Sequence, residues 1–199
     1  GGILKTKSKS YIGNMIARVL SNPIAVGSSL FRIGVNKDTY SDTAVFAVYK
    51  KSTFDRLGYF DEVLERNQDI EMHKRIMKEG YKFLTSPSMV ANYYSKSSLS
   101  KFIKQAFSNG FWITKSKGYH IRHLAPLFFL LFVTILSLID IYFTLVTLFI
   151  YSVIVEFFYI KSKMYNMLNL QILLLLTFSL HISYGTGSIF GLLSRLYKH

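Results

Sequence analysis

Cysteine is absent from the 199 residues, which rules out disulfides, thiolate-ligated zinc and a cysteine nucleophile, and suits a reducing compartment such as the cytoplasmic face of a membrane. Acidic groups are scarce: 11 Asp and Glu stand against 24 Lys and Arg, a formal charge of +13. That balance favours anionic partners, namely phospholipid headgroups, nucleotide diphosphates or nucleic acid. Nucleic acid ranks last and is not expected, because the basic residues are scattered and no recognition motif accompanies them. No internal repeat or low-complexity tract is found. His73 has no second ligand at metal-binding spacing, so no zinc site is expected. The chain opens Gly1-Gly2-Ile3-Leu4 without an initiator Met or a signal-peptide n-region, and it reads as the middle and end of a longer enzyme.

Apolar residues are abundant, at 50% with 16% aromatic, and they gather toward the C-terminus. Spanning a hydrocarbon core of about 30 Å takes roughly 20 apolar residues. Residues 141–160 and 168–193 are long enough, 124–139 is marginal, and Asp140 suits a tight turn between the first two segments. If the preceding part is cytoplasmic, this hairpin returns Lys161 and Lys163 to the cytoplasm. The third segment, followed by Arg195 and Lys198, is either a simple crossing or a re-entrant or tilted segment broken at Gly185 and Gly187, and three spans are expected. Upstream, 98–111 reads as a basic amphipathic helix at the membrane surface, with Leu99, Phe102, Ile103, Ala106 and Phe107 on one face and Lys101, Lys104 and Gln105 off it, the alternative being an ordinary helix packed on the soluble core. Trp112, Tyr119, Lys115, Lys117, Arg122 and His123 suit an interfacial anchor.

The first half mixes short elements. A basic loop is expected at 5–10, then a helix from Ile12, Ile16, Val19 and Leu20 stopped by Asn22-Pro23. Strands are expected at 29–33 and 44–49, joined by a turn over 36–42, then a short helix over 52–57 ended by Gly58. Asn67 is placed to cap a helix carrying Asp69 and Glu71 in its first turn and Gly80 just past its end. A strand over 81–84 then leads into a turn at Ser86-Pro87. The fold class is α/β, as half of a layered domain. The expected division is a partial catalytic domain over 1–97, an interface helix and linker over 98–118, and a transmembrane region over 119–199.

The order of motifs is specific. Val26-Gly27-Ser28-Ser29-Leu30-Phe31-Arg32, Ser41-Asp42-Thr43, Tyr49-Lys50-Lys51, Gly58-Tyr59-Phe60-Asp61-Glu62, Arg66-Asn67-Gln68-Asp69, Arg75 and Gly80-Tyr81 come first. Gln105, Gly110, Trp112, Arg122-His123-Leu124-Ala125-Pro126, His181 and Tyr184-Gly185 with Gly187 follow. Together they resemble the second half of a family 2 glycosyltransferase catalytic domain, of the succinoglycan type used for bacterial polysaccharides, with its membrane region. The resemblance implies a GT-A fold and an inverting transfer from a nucleotide-sugar donor to the hydroxyl of a polyprenyl-linked or polysaccharide acceptor. It implies a multi-pass protein among the lipids of a bacterial plasma membrane, its catalytic part cytoplasmic.

By that resemblance Asp69 is the general base, worth about 10² to 10⁴ in rate, and Gln68 replaces the Glu that usually precedes it. The other reading of Asp69 is that it only charges a helix N-terminus. Arg75 is a candidate to hold Asp69, although an exposed helix Arg is the commoner case, and Gln105 and Trp112 are candidates to hold the acceptor, although interfacial anchoring explains Trp112 about as well. Mg²⁺ or Mn²⁺ is implied through an Asp-x-Asp segment in a donor half expected to precede Gly1, and without that half the chain is expected to be inactive. Two rivals from other classes are a non-catalytic membrane adaptor and a small transporter using Glu156 and His181, ionisable groups in apolar segments, as a proton relay.

Overall fold

The computed structural model describes residues 1–116, 119–162 and 166–196. Lys117, Lys163 and Lys198, named above for anchoring and orientation, lie outside the described residues. The fold is mixed α/β and mostly helical. A three-stranded sheet has the order β1-β3-β2, with β1 (Gly2–Lys7) parallel to β3 (Phe83–Tyr94) and β2 (Thr39–Ser41) antiparallel to it.

Four local expectations are corrected here. The basic stretch expected as a loop contributes Lys5 to Lys7 to β1, because Leu4 points inward while Lys5 and Lys7 point out, the alternation of a half-buried strand. β3 runs straight through the expected Ser86-Pro87 turn. Its register with β1 jumps from Gly2↔Ser86 to Ile3↔Val90, so Pro87, which has no N–H to give, falls in the irregularity. Residues expected as a strand at 29–33 instead form one helical turn, α3 (Leu30–Ile33), between Gly27 at φ 61° and Gly34 at φ 88°. A short apolar run does not distinguish helix from strand, and the positive-φ glycines decide it here. The expected strand at 44–49 is also not formed, apart from an isolated bridge between Val45 and Gly2.

The helices follow the sequence closely. α1 (Tyr11–Val19) is capped by the Ser10 side chain and α2 (Pro23–Val26) by Asn22. α4 (Lys51–Leu57) stops at Gly58, and α5 (Gln68–Lys78) carries Asp69 and Glu71 in its first turn, with Gly80 at φ 82° beyond its end. α6 (Leu99–Lys115) begins at the Ser98 cap. α7 (Ala125–Ile139), α8 (Ile141–Lys161) and α9 (Met167–Leu196) make up the tail. Asp140 forms the turn and caps α8 by accepting from Tyr142 N at 2.6 Å. Three helical segments, Ile121–Ile139, Ile141–Lys161 and Met167–Leu196, are long and apolar enough to cross a membrane.

α9 is unbroken at Gly185 and Gly187, which corrects the re-entrant alternative. At about 1.5 Å per residue its length exceeds a hydrocarbon core of about 30 Å. Its glycines serve close approach instead. A Cβ on Gly187 would sit 2.0 Å from the Phe107 carbonyl oxygen, and one on Gly191 would sit 2.3 Å from that of Phe111. From α6, a Cβ on Gly110 would meet the Tyr184 oxygen at 2.0 Å. The α6 and α9 backbones therefore touch, and Thr114 Oγ1 donates to the Ser188 carbonyl at 3.1 Å.

The apolar face of α6 is used against the helical bundle, while Lys101 and Lys104 stay exposed. The main core joins Met15, Ile16 and Val19 of α1 and Phe102 and Ala106 of α6 to Val155 and Tyr159 of α8 and Leu173 and Leu176 of α9. This shared core fixes the sheet-bearing part on the apolar helices, and a site can form between them. A second, smaller core of Ala44, Met72, Ile76 and Phe83 seats α5 against the sheet.

Candidate active site

The N-terminus of α5 determines where Asp69 points. Asn67 occupies the cap position, but with φ 62° and ψ 22° it is left-handed, and its side chain makes no capping bond. Its Nδ2 instead donates to the Asn109 carbonyl of α6 at 3.3 Å, and Arg66 Nη1 reaches Asn109 Oδ1 at 3.3 Å. The start of α5 is thus held to α6, and Asp69 stands exposed with Oδ1 accepting from the neighbouring Ile70 N at 2.9 Å. Among the described residues no salt bridge involves Asp69.

Asp69 lines two spaces that share wall residues, Arg122 and His123 among them. One is a cavity of about 80 Å³ that it shares with Asp42, Thr43, His120, Arg122 and His123. The other is a groove of about 720 Å³, whose wall passes from Asp69, Asn67 and Asn109 past Arg32, Tyr93 and Gln105. It continues to Phe129 of α7, Tyr151 of α8, and Leu180 and His181 of α9. An exposed carboxylate and three membrane-type helices therefore line one space. Exposure leaves Asp69 free to receive a proton from a bound hydroxyl, provided that hydroxyl is placed at hydrogen-bond distance.

The other predicted residues divide. Gln105 lies in the groove, where its Nε2 donates to the Tyr93 hydroxyl at 3.0 Å and its Oε1 is buried without a hydrogen-bond partner. Gln68 opens α5 but is not among the residues lining either space. Arg75 is occupied elsewhere. It pairs with Glu71 at 2.8 Å and donates from Nη2 to the Tyr59 carbonyl at 2.7 Å and from Nη1 to that of Leu57. It clamps α5 to the loop after α4 and does not hold Asp69.

Trp112 also lies outside the groove lining, its ring under Lys115 Nζ at 4.5 Å. The physical reason is helical phase: Gln105, Asn109 and Ile113 follow one another at four-residue spacing and line the groove, and Trp112 is turned away from that face. The transporter relay is not assembled either. Glu156 accepts from Gln171 at 3.0 Å, whereas His181 lines the groove with its Nδ1 2.9 Å from the Tyr151 hydroxyl.

Sequence reasoning missed three features. Asp42 pairs with Arg122, which also donates to Ser28 Oγ at 3.2 Å, and this latch ties the 27–43 segment to the start of α7. His73, 1% exposed, lies 2.7 Å from Thr43 Oγ1 through Nδ1 and 2.6 Å from the Tyr49 hydroxyl through Nε2. Burial lowers its pKa below the usual value, and burial together with the Asp69 charge pushes Tyr49 up to about 12. The third feature is Arg32 in the groove wall. Asp42, Arg122 and Arg32 all stand inside quoted motifs, but nothing in their spacing shows that the first two pair or that the third lines the groove.

The implied divalent cation finds no complete ligand set here. Among the described residues no three His, Cys, Asp or Glu side chains are grouped so that they could hold a metal ion, and Asp42, which lines the same cavity as Asp69, is engaged by Arg122.

Similarity to a curated protein covers nearly all of this ground. The chain is 31% identical over 193 residues, 93% of its length, to a dolichyl N-acetyl-alpha-D-glucosaminyl phosphate 3-beta-D-2,3-diacetamido-2,3-dideoxy-beta-D-glucuronosyltransferase of Methanococcus voltae. It resembles a glycosyltransferase. The chain spans 58% of that relative's length. No protein-family profile matches the chain, and no solved structure matches it.

Proposed function

We infer that this chain is the acceptor-side and membrane part of a glycosyltransferase that moves a sugar from a nucleotide-sugar donor onto a lipid-linked acceptor. The observation that carries the reading is the single groove with Asp69 in one wall and Phe129, Tyr151 and Leu180 of the membrane-type helices in another. A lipid chain is accommodated among those apolar side chains, while its sugar hydroxyl reaches the carboxylate. Asp69 then accepts the hydroxyl proton as the oxygen attacks the donor carbon, and the nucleoside diphosphate leaves. The relative named above is a transferase whose name specifies a dolichyl-linked acceptor, and that supports a polyprenyl-type acceptor here.

On this reading the catalytic face is cytoplasmic, the chain is inserted in the plasma membrane, and the product belongs to a surface glycan, of the bacterial polysaccharide type by the family resemblance. Mg²⁺ or Mn²⁺ would be held by residues outside this chain. The fold belongs with the GT-A transferases by the same resemblance.

The test is transfer by this chain joined to a matching donor-binding segment, with a polyprenyl-diphosphate-linked sugar and its water-soluble glycoside compared as acceptors. Transfer that prefers the lipid-linked form supports the reading. A folded, membrane-inserted protein that binds donor but transfers to neither acceptor supports a non-catalytic adaptor instead.

A further inference from the structure

Arg32 is the unexplained charge of the groove. It belongs to the short α3, its guanidinium carbon lies 5.6 Å from the Tyr93 ring centroid and 5.4 Å from that of Phe31, and its Nη1 is buried without a hydrogen-bond partner among the described residues. No ion pair among the described residues involves it. Burial lowers its pKa from the usual value, though an arginine remains charged. The neighbouring cation of the groove, Arg122, is already answered by Asp42. A cation with a buried guanidinium nitrogen and no anionic partner among the described residues is an unfavourable arrangement that a ligand can relieve.

Two further groups converge beside Arg32. Tyr93, on whose ring the guanidinium lies, accepts from Gln105 Nε2 at 3.0 Å, so its own hydroxyl proton remains available to donate. Gln105 Oε1 is also buried and unpartnered. This oxygen suits a hydroxyl or amide donor, whereas the guanidinium and the tyrosine hydroxyl suit an anion. The same wall continues into Ile24, Phe129, Tyr151 and Leu180, which present no charge. A planar cation at the head of an apolar groove matches a phosphate ester with a hydrocarbon chain.

We propose that Arg32, with the Tyr93 hydroxyl, is the receptor for the phosphate or diphosphate of an isoprenoid-linked acceptor, and that Gln105 Oε1 reads a donor group on the sugar attached to it. This rests on the lipid-acceptor reading above and adds the residues that recognise the head group. Arg32 is a binding and positioning residue: it fixes the head group so that the sugar reaches Asp69, and it takes no proton itself.

The test measures binding of farnesyl diphosphate, farnesol and uridine diphosphate to the full chain in nanodiscs, for the parent, Arg32→Met and Arg32→Lys. The parent is expected to bind farnesyl diphosphate about tenfold or more tightly than farnesol, the scale of one charge-assisted hydrogen bond. Arg32→Met should remove that preference and leave farnesol binding unchanged, and Arg32→Lys should restore part of it. Without ligand, Arg32→Met should be at least as thermally stable as the parent, because it removes an unanswered charge.

Unchanged farnesyl diphosphate binding in Arg32→Met overturns the assignment. So does a drop in its ligand-free stability, which would mean that Arg32 serves the fold. Loss of uridine diphosphate binding in Arg32→Met at equal or greater scale overturns it too, placing the donor at Arg32. Equal binding of farnesol and farnesyl diphosphate by the parent overturns the Arg32 site alone, whereas failure of both to bind overturns the lipid-acceptor reading as well.

Discussion

His73 Nε2 lies 2.6 Å from the Tyr49 hydroxyl, and through this contact and the 2.7 Å contact from Nδ1 to Thr43 one buried ring joins α5 to the 42–49 segment. Either hydroxyl can donate to the ring or accept from it, so it is burial that disfavours the charged imidazolium here.

This gives a pH dependence with a definite sign. The folded-state pKa of His73 is depressed by burial below the usual histidine value of about 6.5, so below that pH the unfolded chain binds the extra proton. The stabilising contribution is fully present above about pH 6.5 and is lost as pH falls from there toward the depressed folded value. Thermal unfolding of the chain in detergent, followed from neutral to acid pH, should show this loss. His73→Gln should be less stable at neutral pH and should lack that part of the acid slope.

Arg75 should behave as a structural clamp. Arg75→Met removes the Glu71 pair and the bonds to the Leu57 and Tyr59 carbonyls, a loss of about 1.5 to 3 kcal/mol on the scale of charged hydrogen bonds. The expected signature is a lower thermal midpoint with acceptor affinity unchanged per folded molecule. A loss of acceptor affinity at unchanged stability would return Arg75 to the site.

The α6 and α9 contact should be intolerant of a single methyl group. In Gly187→Ala the new Cβ would need the space of the Phe107 carbonyl oxygen, 2.0 Å away on backbone that has no rotamer to yield. A cost of about 1 to 3 kcal/mol follows from overpacking of this kind. Thermal unfolding of Gly187→Ala and Gly110→Ala, both expected to fall, reads it out.

The sequence was most legible where solvent dictates pattern. Lipid demands long apolar helices, so α7, α8 and α9 fell close to 124–139, 141–160 and 168–193, with Asp140 at the turn. The helix carrying Asp69 was legible from its acidic first turn and Gly80. β3 was misread because a proline inside a strand is tolerated only at a register irregularity, which depends on the partner β1 and is invisible locally.

The site was half legible. Asp69 and Gln105 line the groove, and the four-residue step from Gln105 would have pointed to Asn109 and Ile113 ahead of Trp112. Arg75 and Arg32 look alike as letters. Glu71, one turn before Arg75 on the same helix, answers the first, which the four-residue spacing could have shown, whereas only tertiary structure shows that no described acidic residue answers the second.

The central claim is that Asp69 takes the acceptor proton, and the most direct measurement is sugar transfer and donor affinity determined side by side for Asp69→Asn in the chain joined to its donor-binding segment. A general base acts in the transition state and adds little to donor affinity in the ground state. The predicted result is a fall in turnover of about 10² or more with donor affinity nearly unchanged, while Gln68→Glu keeps or raises the rate. Parent-like turnover in Asp69→Asn would contradict the account.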